Sequence, residues 1–579
     1  MPGEWRLPPG SGAEPAPGFS RVEWAVLRSR GAVDAADAGR LLDPTAGVIH
    51  DPLALRDMDR ALLRIRQAVE RGERIVVYGD YDADGLTAAT LLTTTLELMG
   101  ADVSAFIPSR FEEGYGLQEE ALLKLGSQGT RLVISVDCGV RAVAEVRSAQ
   151  DAGLDVIVTD HHEPADELPP AVAVVNPKRI DDAYPFKELS GVGLAFKLAQ
   201  ALVAGQVASW MESGAMSLVA IGTIADLAPL IDENRTLAAR GLDQLRRSPP
   251  AGVAALIEAA GLKAPRLTGR DISFSIAPRL NAVGGLGSAS AAFRLLRAES
   301  VAEARPLATQ LDQANRERQD QTRAVLEHAR SKMEGLSEIP PLIFDADPSY
   351  GEGLLGPAAA KLTEEWHRPA VLVSLRGAIG RGSARSVAGF HITDALEVCA
   401  PLLERFGGHA AAAGFSVQAG RVDELRACLE RVAWERLEAP GAPPPLEIDA
   451  LVAPLDVNRK LVEFLDRLEP LGSGFPPPLL GCLGMTVVDT RPVGRDKAHL
   501  KLMLRHRDRT VDAIAFRGGS RPLERGARID LAFYAEREMY MGLESIRWNV
   551  QDIRPAAKDV GLSGSRSDSH SQSDRNHPR

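Results

Sequence analysis

The chain has 579 residues, with 67 Lys and Arg against 78 Asp and Glu, a formal net charge of −11. At about 150 residues per domain, this length predicts three or four domains and excludes a single small one. The hydrophobic fraction of 45% and the charged fraction of 25% are those of an ordinary globular protein. The acidic balance argues at first against a nucleic-acid partner, because phosphate backbones are usually bound by an excess of Lys and Arg.

The cysteines and the N-terminus indicate the compartment. Four cysteines occur without Cys-x-x-Cys spacing, a pattern typical of a reducing environment, with neither a disulfide framework nor a thiolate zinc site. The start of the chain is rich in Pro and Gly and lacks the apolar region of a secretory signal, so we expect a flexible lead-in. The longest uncharged run, 470–488, contains four prolines and four glycines, which excludes a membrane span. We expect a cytoplasmic protein.

Apolar runs alternate with helical patterns in the first part of the chain. A helix is predicted at 87–99, ending at Gly100. Buried strands are predicted at 74–80, 103–107, 132–136, 156–158 and 171–175. Near-continuous apolar strands that alternate with helices predict a parallel α/β sheet.

The remainder divides into five parts. Residues 190–335 are predicted to be mainly helical, and 302–334 form either one long helix that bridges two domains or two shorter ones. A second α/β block extends from 342 to about 437, and the Pro-rich stretch 439–445 is a linker by composition. Alternating segments at 500–504, 511–516 and 529–534 predict a small β-barrel or sandwich. The Ser-rich tail from 558 is expected to be disordered.

Three carboxylates follow the first predicted strand at alternate positions, Asp80, Asp82 and Asp84. An EF-hand loop begins in the same way, but its twelfth position would be Leu91, and a strand precedes it here in place of a helix. A calcium loop is therefore excluded. A solvated acidic turn is the alternative for this motif taken alone.

The next two apolar strands also end in metal-binding residue types. Asp137 follows the strand at 132–136, and Asp160, His161 and His162 follow the strand at 156–158. Because ligands of an open parallel sheet bind beyond the carboxyl ends of its strands, we expect all these side chains at one edge. Such a cluster would repel itself unless divalent cations compensated it.

The donor types favour Mn²⁺ or Mg²⁺, because oxygen ligands with one or two imidazoles suit hard cations. Asp226 follows a helical apolar run, and spacing alone leaves open whether it is a ligand or an ordinary acid at a helix end. Two metals about 4 Å apart would activate a nucleophile and stabilise the leaving oxygen of a phosphoester. The predicted reaction is hydrolysis of a phosphoester or phosphodiester.

Four motifs match, in order and spacing, those of the DHH phosphoesterase superfamily: Asp80-Tyr-Asp-Ala-Asp-Gly85, Val136-Asp-Cys-Gly139, Asp160-His-His162 and Gly222-Thr-Ile-Ala-Asp226. Within the superfamily, the chain most resembles the bacterial 5′→3′ exonucleases specific for single-stranded DNA, over roughly residues 20 to 555. Ala277-Pro-Arg-Leu-Asn-Ala282, Asn315-Arg-Glu-Arg318, Gly382-Ser-Ala-Arg-Ser386 and Gly407-Gly-His-Ala410 support this resemblance.

The resemblance implies an α/β fold with a parallel-sheet DHH domain, joined by a long helix to a second α/β (DHH-associated) domain, and a C-terminal OB-fold-like β-barrel. The implied domains are a flexible lead-in and helical segment at 1–45, the DHH catalytic domain at 46–300, the connecting helix at 301–335, the DHH-associated phosphate- and strand-binding domain at 336–438, the OB-fold-like DNA-binding domain at 446–555 and a disordered tail at 556–579.

The resemblance also implies two divalent cations, Mn²⁺ or Mg²⁺, and a role for each site residue. Asp80 and Asp82 would hold the first metal, and Asp84, His161 and Asp226 would hold the second. Asp137 would bridge the two metals. Asp160 would orient the imidazole of His161, and His162 would face the scissile phosphate. The implied substrate-binding residues are Arg110, Tyr115, Arg279, Asn281, Ser383, Arg385, Gly407, Gly408 and His409. Three positions depart from the family pattern, Gly285, Gly351 and Phe475.

The implied function is hydrolysis of single-stranded DNA from the 5′ end in repair and recombination, by a monomer at the bacterial nucleoid with single-strand-binding protein and helicase partners. Between 491 and 528 the chain has 11 Lys and Arg against four Asp and Glu, a balance of +7, with aromatic rings in and after this stretch that could stack on bases: Phe516, Phe533, Tyr534, Tyr540 and Trp548. The rival functions are a DHH-type nano-RNase or cyclic-dinucleotide phosphodiesterase, and an inactive DNA-binding scaffold.

Overall fold

The computed structural model describes residues 4–7, 14–108, 116–203, 208–282, 288–494, 497–507, 509–519, 523–540 and 543–556. These residues form two compact units. The first unit comprises 31–444 and 465–477, and the second comprises the described residues of 2–30, 445–464 and 478–556.

The helices are numbered in chain order. They are α1 (Arg21–Ser29), α2 (Ala35–Leu42), α3 (Met58–Glu70), α4 (Ala83–Leu98), α5 (Glu119–Ser127), α6 (Val143–Asp151), α7 (Gly191–Val203), α8 (Ala208–Trp210), α9 (Met216–Ala225), α10 (Asp232–Arg247), α11 (Ala251–Ala259), α12 (Gly269–Asp271), α13 (Ala277–Leu280), α14 (Ser288–Leu296), α15 (Val301–Glu334), α16 (Glu352–Trp366), α17 (Ile392–Val398), α18 (Val422–Arg436) and α19 (Arg459–Asp466).

The strands are numbered in the same way. They are β1 (Trp5–Arg6), β2 (Arg74–Gly79), β3 (Val103–Phe106), β4 (Thr130–Val136), β5 (Asp155–Thr159), β6 (Ala173–Val175), β7 (Ile343–Asp347), β8 (Ala370–Ser374), β9 (Ile379–Arg385), β10 (Leu403–Gly408), β11 (Ala412–Gln418), β12 (Leu446–Glu447), β13 (Ala450–Leu451), β14 (Leu480–Val493), β15 (His499–His506), β16 (Arg509–Ala515), β17 (Arg528–Tyr540) and β18 (Leu543–Pro555).

The first sheet has the order β3-β2-β4-β5-β6, and all its strands are parallel. Its central strands β2, β4 and β5 are buried almost throughout, as expected for strands covered by helices on both faces. Helix α4 is buried around most of its circumference, which explains why its sequence is apolar or Ala- and Thr-rich on every face. It begins four residues before the predicted start, because the Asp82 side chain caps it.

The predicted long helix is one uninterrupted element, α15, of 34 residues. It is followed by the second sheet, with the order β10-β11-β9-β8-β7, in which only β7 and β8 are parallel. Helices α17 and α18 supply core residues on one face of this sheet, where Phe415 and Val417 of β11 are buried. Helix α16 packs with α15 around a separate apolar cluster.

The second unit contains a closed five-stranded barrel. Antiparallel pairs join β14 to β15, β15 to β16 and β17 to β18, a parallel pair joins β16 to β18, and β14 closes the barrel against β17. Of the two predicted alternatives, the barrel is therefore the one that forms. The predicted fold class, a parallel α/β domain, a second α/β domain and a C-terminal β-barrel, is confirmed.

Part of the N-terminus is more ordered than predicted. Strand β1 pairs in parallel with β12, and the Trp5 indole donates a hydrogen bond of 2.9 Å to Asp552. The Arg554 guanidinium lies 4.0 Å from the centre of the Trp5 ring. The expected flexible lead-in is thus wrong for residues 4–7, which the chain uses to extend the barrel unit; a two-residue strand is too short to produce a readable sequence pattern.

Two further expectations concern cysteines and membranes. The structure joins Cys399, at the end of α17, to Cys428 in α18 as a disulfide, whereas the sequence predicted none. The two residues are 29 positions apart without a motif, so only the packing of the two helices brings them together. Among the described residues, no helix combines the length and the apolar character needed to cross a bilayer.

A buried polar network supports the DHH-type domain. Lys197 of α7 and Glu233 of α10 are both fully buried and form an ion pair. The Lys197 ammonium also donates to the His50 carbonyl at 2.6 Å, and Glu233 accepts from the Tyr184 hydroxyl at 2.6 Å and from the His50 amide at 3.0 Å. The Glu233 carboxylate is thereby satisfied on both oxygens, and the loop at 44–55 is held against two helices.

Removal of one partner should leave an uncompensated buried charge. We expect Lys197→Met to lower the free energy of unfolding by about 3–5 kcal/mol. The control, Arg323→Gln, breaks an ion pair whose side chains are both more than 60% exposed, and it should cost less than about 1 kcal/mol. Urea denaturation followed by circular dichroism measures both. Equal effects of the two substitutions would contradict the network's structural role.

Candidate metal centre

The acidic residues lie at one edge of the first sheet. Asp80, Asp137 and Asp160 each follow the last residue of a strand, and these strands, β2, β4 and β5, are neighbours in the sheet. All three carboxylates belong to residues that are at most 4% exposed. The parallel topology therefore concentrates in space acids that are 80 positions apart in the chain.

The turn between β2 and α4 fixes the first carboxylates. Asp82 Oδ1 accepts hydrogen bonds of 3.0 Å from the amides of Asp84 and Gly85. A Cβ atom at Gly85 would lie 2.6 Å from the backbone nitrogen and oxygen of Asp80, so only glycine permits this close return of the chain. The turn holds Asp80 and Asp82 on one side of the helix start.

Asp84 is held by the start of another helix. Its two carboxylate oxygens accept from the backbone amides of Gly191, at 2.7 Å, and Val192, at 2.9 Å, in the first turn of α7. A Cβ at Gly191 would lie 2.5 Å from Asp137 Oδ1, so glycine is required for the two carboxylates to come together. The glycine at position 191, in the segment Ser190-Gly-Val-Gly193, thus has a physical role in the site.

Asp137, His161 and Asp226 meet opposite Asp84. Asp137 adopts a left-handed backbone with φ of 63°. His161 Nε2 lies 3.1 Å from Asp137 Oδ1, 3.8 Å from Asp226 Oδ2 and 4.0 Å from Asp84 Oδ2. Asp226, whose role spacing alone left open, caps the C-terminal end of α9 and joins the cluster.

Two sets of donors coincide with the two ligand sets that the resemblance implies. In each group the ligand atoms lie within 4.8 Å of one another. The first group is Asp80, Asp82 and Asp137, and the second is Asp84, His161 and Asp226. Asp137 also forms such a group with His161 and His162. Asp80 Oδ1, Asp137 Oδ1 and His161 Nε2 are buried without a hydrogen-bond partner. Unsatisfied acceptors of this kind fit a site built for cations.

The electrostatics of the protein alone lead to the same conclusion. Burial, with repulsion from Asp82, raises the pKa of Asp80 to about 8, and the same two causes raise the pKa of Asp226 to about 7. Burial and neighbouring carboxylates hold the pKa of Asp84 and of Asp137 well above the ordinary value. Burial lowers the pKa of His161 to about 3, so its imidazole is neutral and able to act as a ligand.

Asp160 contacts the imidazole of His162, whereas the resemblance implied a contact with that of His161. Its Oδ1 lies 2.7 Å from His162 Nδ1 and accepts from the His162 amide at 3.1 Å, so Asp160 orients His162 and not His161. Burial opposes both charges, but the hydrogen bond between them prevails, and it lowers the pKa of Asp160 and raises that of His162. Asp160 is close enough along the chain to reach either imidazole, and the sequence does not show which of the two it contacts.

A cleft of about 820 Å³ opens between the metal centre and the second sheet of the first unit. Arg385 Nη1 donates to Ser383 Oγ at 3.2 Å, and a Cβ at Gly356 of α16 would lie 2.8 Å from Arg385 Nη2. The polar and glycine residues that line the cleft are Asp80, Tyr81, Asp82, His162, Asn281, Arg318, Glu352, Gly353, Gly356, Arg381, Gly382, Ser383, Arg385, Arg405, Gly407, Gly414 and Ser416.

The implied substrate-binding residues are only partly gathered there. Asn281 lines the cleft, whereas Arg279 is turned to Asp312, at 2.8 Å, and to the Ser275 carbonyl, at 2.7 Å. Gly407 lines the cleft, whereas Gly408 and His409 do not. Arg110 and Tyr115 lie outside the described residues.

Three arginines that line the cleft were not identified as site residues by the sequence analysis. Arg318 of α15 donates to the carbonyls of Asn281 and Pro278, both at 3.1 Å, and its presence in the Asn315-Arg-Glu-Arg318 motif was the available signal. Arg381 and Arg405 belong to β9 and β10. The signal for Arg381 was its alternation with Ser383 and Arg385, which places all three on one face of a strand.

The departures from the family pattern differ in consequence. Phe475 is buried, and its ring lies 3.6 Å from the Arg235 guanidinium, which donates to the carbonyls of Leu468 and Pro470 at 2.7 and 2.8 Å. Phe475 therefore packs a turn and does not reach the cleft. Gly351 caps the start of α16, and Gly285 lies outside the described residues.

The aromatic rings predicted to stack on bases are mostly unavailable. Phe533 and Trp548 are at most 3% exposed and stack on each other in the barrel core, with ring centres 4.0 Å apart. Tyr534 packs against a small apolar cluster, and the Tyr540 side chain is not among those described. Phe516 is 45% exposed, with its ring centre 5.2 Å from that of His499. Successive side chains of a strand point to opposite faces of the sheet, so some of these rings point into the barrel core. The number of aromatic residues in the sequence therefore exceeds the number of rings available to bases.

Comparison with known proteins agrees with this architecture. The chain matches the DHH family N-terminal domain at 74–223, the DHHA1 domain at 341–435 and the RecJ OB domain at 448–552. It is 34% identical over 528 residues to the single-stranded-DNA-specific exonuclease RecJ of Dickeya dadantii, covering 86% of this chain and 91% of that protein. It is 38% identical to RecJ of Bacillus subtilis, covering 86% of this chain but 63% of the length of that protein.

A solved structure has a similar fold. The crystal structure of RecJ in complex with Mn²⁺ from Thermus thermophilus superimposes with a TM-score of 0.80 at 29% identity, covering 96% of this chain and 80% of the other. The enzyme class predicted from the sequence, a hydrolase of the nuclease type, is confirmed. The chain belongs to the RecJ family of the DHH superfamily.

Proposed function

We propose that the protein is an exonuclease that degrades single-stranded DNA from the 5′ end to 5′-mononucleotides by a two-metal mechanism, in DNA repair and recombination. The observation that carries this proposal is a pair of donor groups beside a cleft that several arginines line: Asp80, Asp82 and Asp137 in one group, and Asp84, His161 and Asp226 in the other. The cofactor is a divalent cation, Mn²⁺ or Mg²⁺, since the buried oxygens and one neutral imidazole suit hard cations. When bound, a pair of such ions activates water and stabilises the charge on the attacking and leaving oxygens.

The protein's own residues prepare the site for this chemistry. The amides of Gly191 and Val192 fix both oxygens of Asp84, and the turn at Gly85 fixes Asp80 and Asp82, so the carboxylates need little reorganisation when cations enter. His162 lines the cleft, and the contact of its Nδ1 with Asp160 orients the ring, which we expect to face the scissile phosphate. Ser383 and Arg385 supply a hydroxyl and a charged fork for a phosphate on the other side of the cleft.

The cleft also accounts for strand selectivity. We expect its charged groups to contact phosphates, which carry no sequence information, and not base edges. Arg381, Arg385 and Arg405 of the second sheet line the same cleft as Asp80 and Asp82 of the metal centre. We expect one extended strand to enter and a duplex to be excluded by its width.

Domain roles, partners and location follow as part of the proposal. We assign catalysis to 46–300, connection to the helix at 301–335, phosphate binding to 336–438 and single-strand binding to 446–555, preceded by the segment 1–45 and followed by the tail at 556–579. The substrate is single-stranded DNA. We place the activity at the nucleoid in the bacterial cytoplasm, in a monomer with single-strand-binding protein and helicase partners.

The rival functions have less support. A nano-RNase or cyclic-dinucleotide phosphodiesterase of this type usually has the two α/β domains alone, whereas this chain adds a closed barrel. An inactive scaffold would typically lose metal ligands. All six implied ligands are present here and form two compact groups.

The first experiment measures the reaction. With Mn²⁺ and single-stranded DNA labelled at the 5′ end, we expect the label to be released at once as a mononucleotide, whereas a 3′ label should stay in long products. Asp82→Ala and His161→Ala should each reduce kcat by at least about 100-fold, as expected for removal of a group that organises the transition state. Early release of the 3′ label would contradict the polarity, and hydrolysis of only RNA or dinucleotides would contradict the substrate.

A second experiment tests the barrel. Phe516 is exposed beside His499, and the Arg547 guanidinium lies 5.7 Å from its ring centre, so a base could stack next to a positive charge. We expect Phe516→Ala to weaken binding of single-stranded DNA by about 1–3 kcal/mol. Leu483→Ala, at a residue of the same unit that is 42% exposed, is the matched control and should have no effect. Fluorescence anisotropy measures both, and equal affinities of the two variants would exclude stacking on Phe516.

A third experiment tests the cations without catalysis. In metal-free protein the pKa of Asp80 is about 8 and that of Asp226 about 7, above the ordinary value of 3.8, so folding takes up protons. The melting temperature of the metal-free protein should therefore fall as the pH rises from about 6 to about 8.5. A Mn²⁺ concentration about 100 times the Kd measured at the higher pH should restore about 2.7 kcal/mol there, and the same concentration should restore less at the lower pH, where protons compete for the carboxylates. Asp137→Asn should abolish the Mn²⁺ effect; a metal-free melting temperature that rises with pH would contradict the assignment.

A further inference from the structure

A row of polar residues crosses three strands of the second sheet. Arg381 of β9 lies directly opposite Ser416 of β11, and Ser416 lies directly opposite Arg405 of β10. The two arginines are thus separated by two interstrand spacings, about 10 Å between Cα atoms. Residues directly opposite in a sheet point to the same face, so both side chains arise on the side where the cleft lies.

The packing of the opposite face fixes this orientation. Phe415, next to Ser416, is 5% exposed and belongs to the core beneath the sheet. A Cβ at Gly382, next to Arg381, would lie 2.0 Å from the Phe415 ring, so Gly382 leaves room for that ring. A one-residue shift of register would put Phe415 into the cleft and the arginines into the core, which the burial of Phe415 forbids.

Within the described part of the chain, neither the Arg381 nor the Arg405 side chain has a hydrogen bond or an ion pair, and both residues are exposed. Other arginines of the same domain are engaged: Arg376 donates to the carbonyls of Pro348 and Ser349, and Arg421 to that of Pro401. In a chain with a net charge of −11, two cations without partners on one cleft wall indicate an external anion.

This row is distinct from the phosphate position at Ser383 and Arg385. Arg385 lies four residues along β9 from Arg381, about 13 Å in an extended strand. Its guanidinium is directed to Ser383 and to Gly356 of α16, whereas Arg405 lies on the edge strand β10 of the sheet. The two arrangements therefore begin at positions about 13 Å apart on the cleft face of the sheet.

We propose that Arg381 and Arg405 form an outer phosphate subsite, which binds a backbone phosphate of the single strand other than the scissile phosphate and the one at Ser383 and Arg385. The inference rests on the proposed function, because it requires a polynucleotide in the cleft. Contacts remote from the reacting bond that are made equally in the ground and transition states change KM and leave kcat unchanged. The outer subsite should therefore contribute only to substrates long enough to reach it.

The test compares two substrates. A 5′-phosphorylated dinucleotide has one terminal and one scissile phosphate and cannot fill the outer subsite, whereas a long 5′-phosphorylated strand can. In the double variant Arg381→Gln/Arg405→Gln, we expect KM for the long strand to rise at least about tenfold with kcat unchanged, because a charge-assisted contact to phosphate is lost. Kinetics on the dinucleotide should not change. The slope of log Kd against log salt should become shallower by about 0.7, the loss of one phosphate contact.

The control is Arg431→Gln, at an arginine of α18 whose side chain is 62% exposed and which pairs with Glu435. It should change none of these quantities, and circular dichroism should show that all variants are folded. An unchanged KM for the long strand would show that the arginines do not contact DNA. An equal rise in KM for both substrates, or a loss of kcat, would place them in the phosphate positions already described. Failure of the wild-type protein to degrade single-stranded DNA would instead refute the proposed function.

Discussion

The mutual repulsion of buried carboxylates is the constraint on which this structure depends. Asp80, Asp84 and Asp137 are almost completely buried within reach of one another, and oxygens of Asp80 and Asp137 have no hydrogen donor. A folded protein tolerates such a cluster only if protons or cations neutralise it. Much of the surrounding architecture, from the glycine turns to the amides at the start of α7, serves to hold these charges together.

The topology explains how the chain collects them. In an all-parallel sheet every strand ends at the same edge, so each new strand adds a residue to the site without a dedicated loop. Helices contribute in two ways: α7 presents N–H groups to Asp84, and α9 ends at Asp226. The site therefore depends on the core of the domain, since a displaced strand would move a ligand.

The sequence predicted the parts of this site that follow a local rule. Strand ends carry Asp80, Asp137 and Asp160, and their convergence follows from the parallel pattern alone. The contact of Asp160 with His162 and the exposure of Phe516 depend on side-chain direction and packing, which no spacing encodes. The pairing of Cys399 with Cys428 and the strand at Trp5 are long-range contacts without a local signal.

The net charge of the chain does not show where its charged side chains lie in the fold. Five acids of the total lie in the metal centre, where cations would neutralise them, and many exposed acids pair with neighbouring arginines. The arginines of the cleft lie on the wall opposite the carboxylates, so a strand between them would meet cations on one side and metal ligands on the other. A phosphate backbone could satisfy both sides at once, because it supplies an anion for Arg381 and Arg405 and oxygens for the metals. A net charge of −11 is thus compatible with a nucleic-acid substrate when the opposing charges are separated across one cleft.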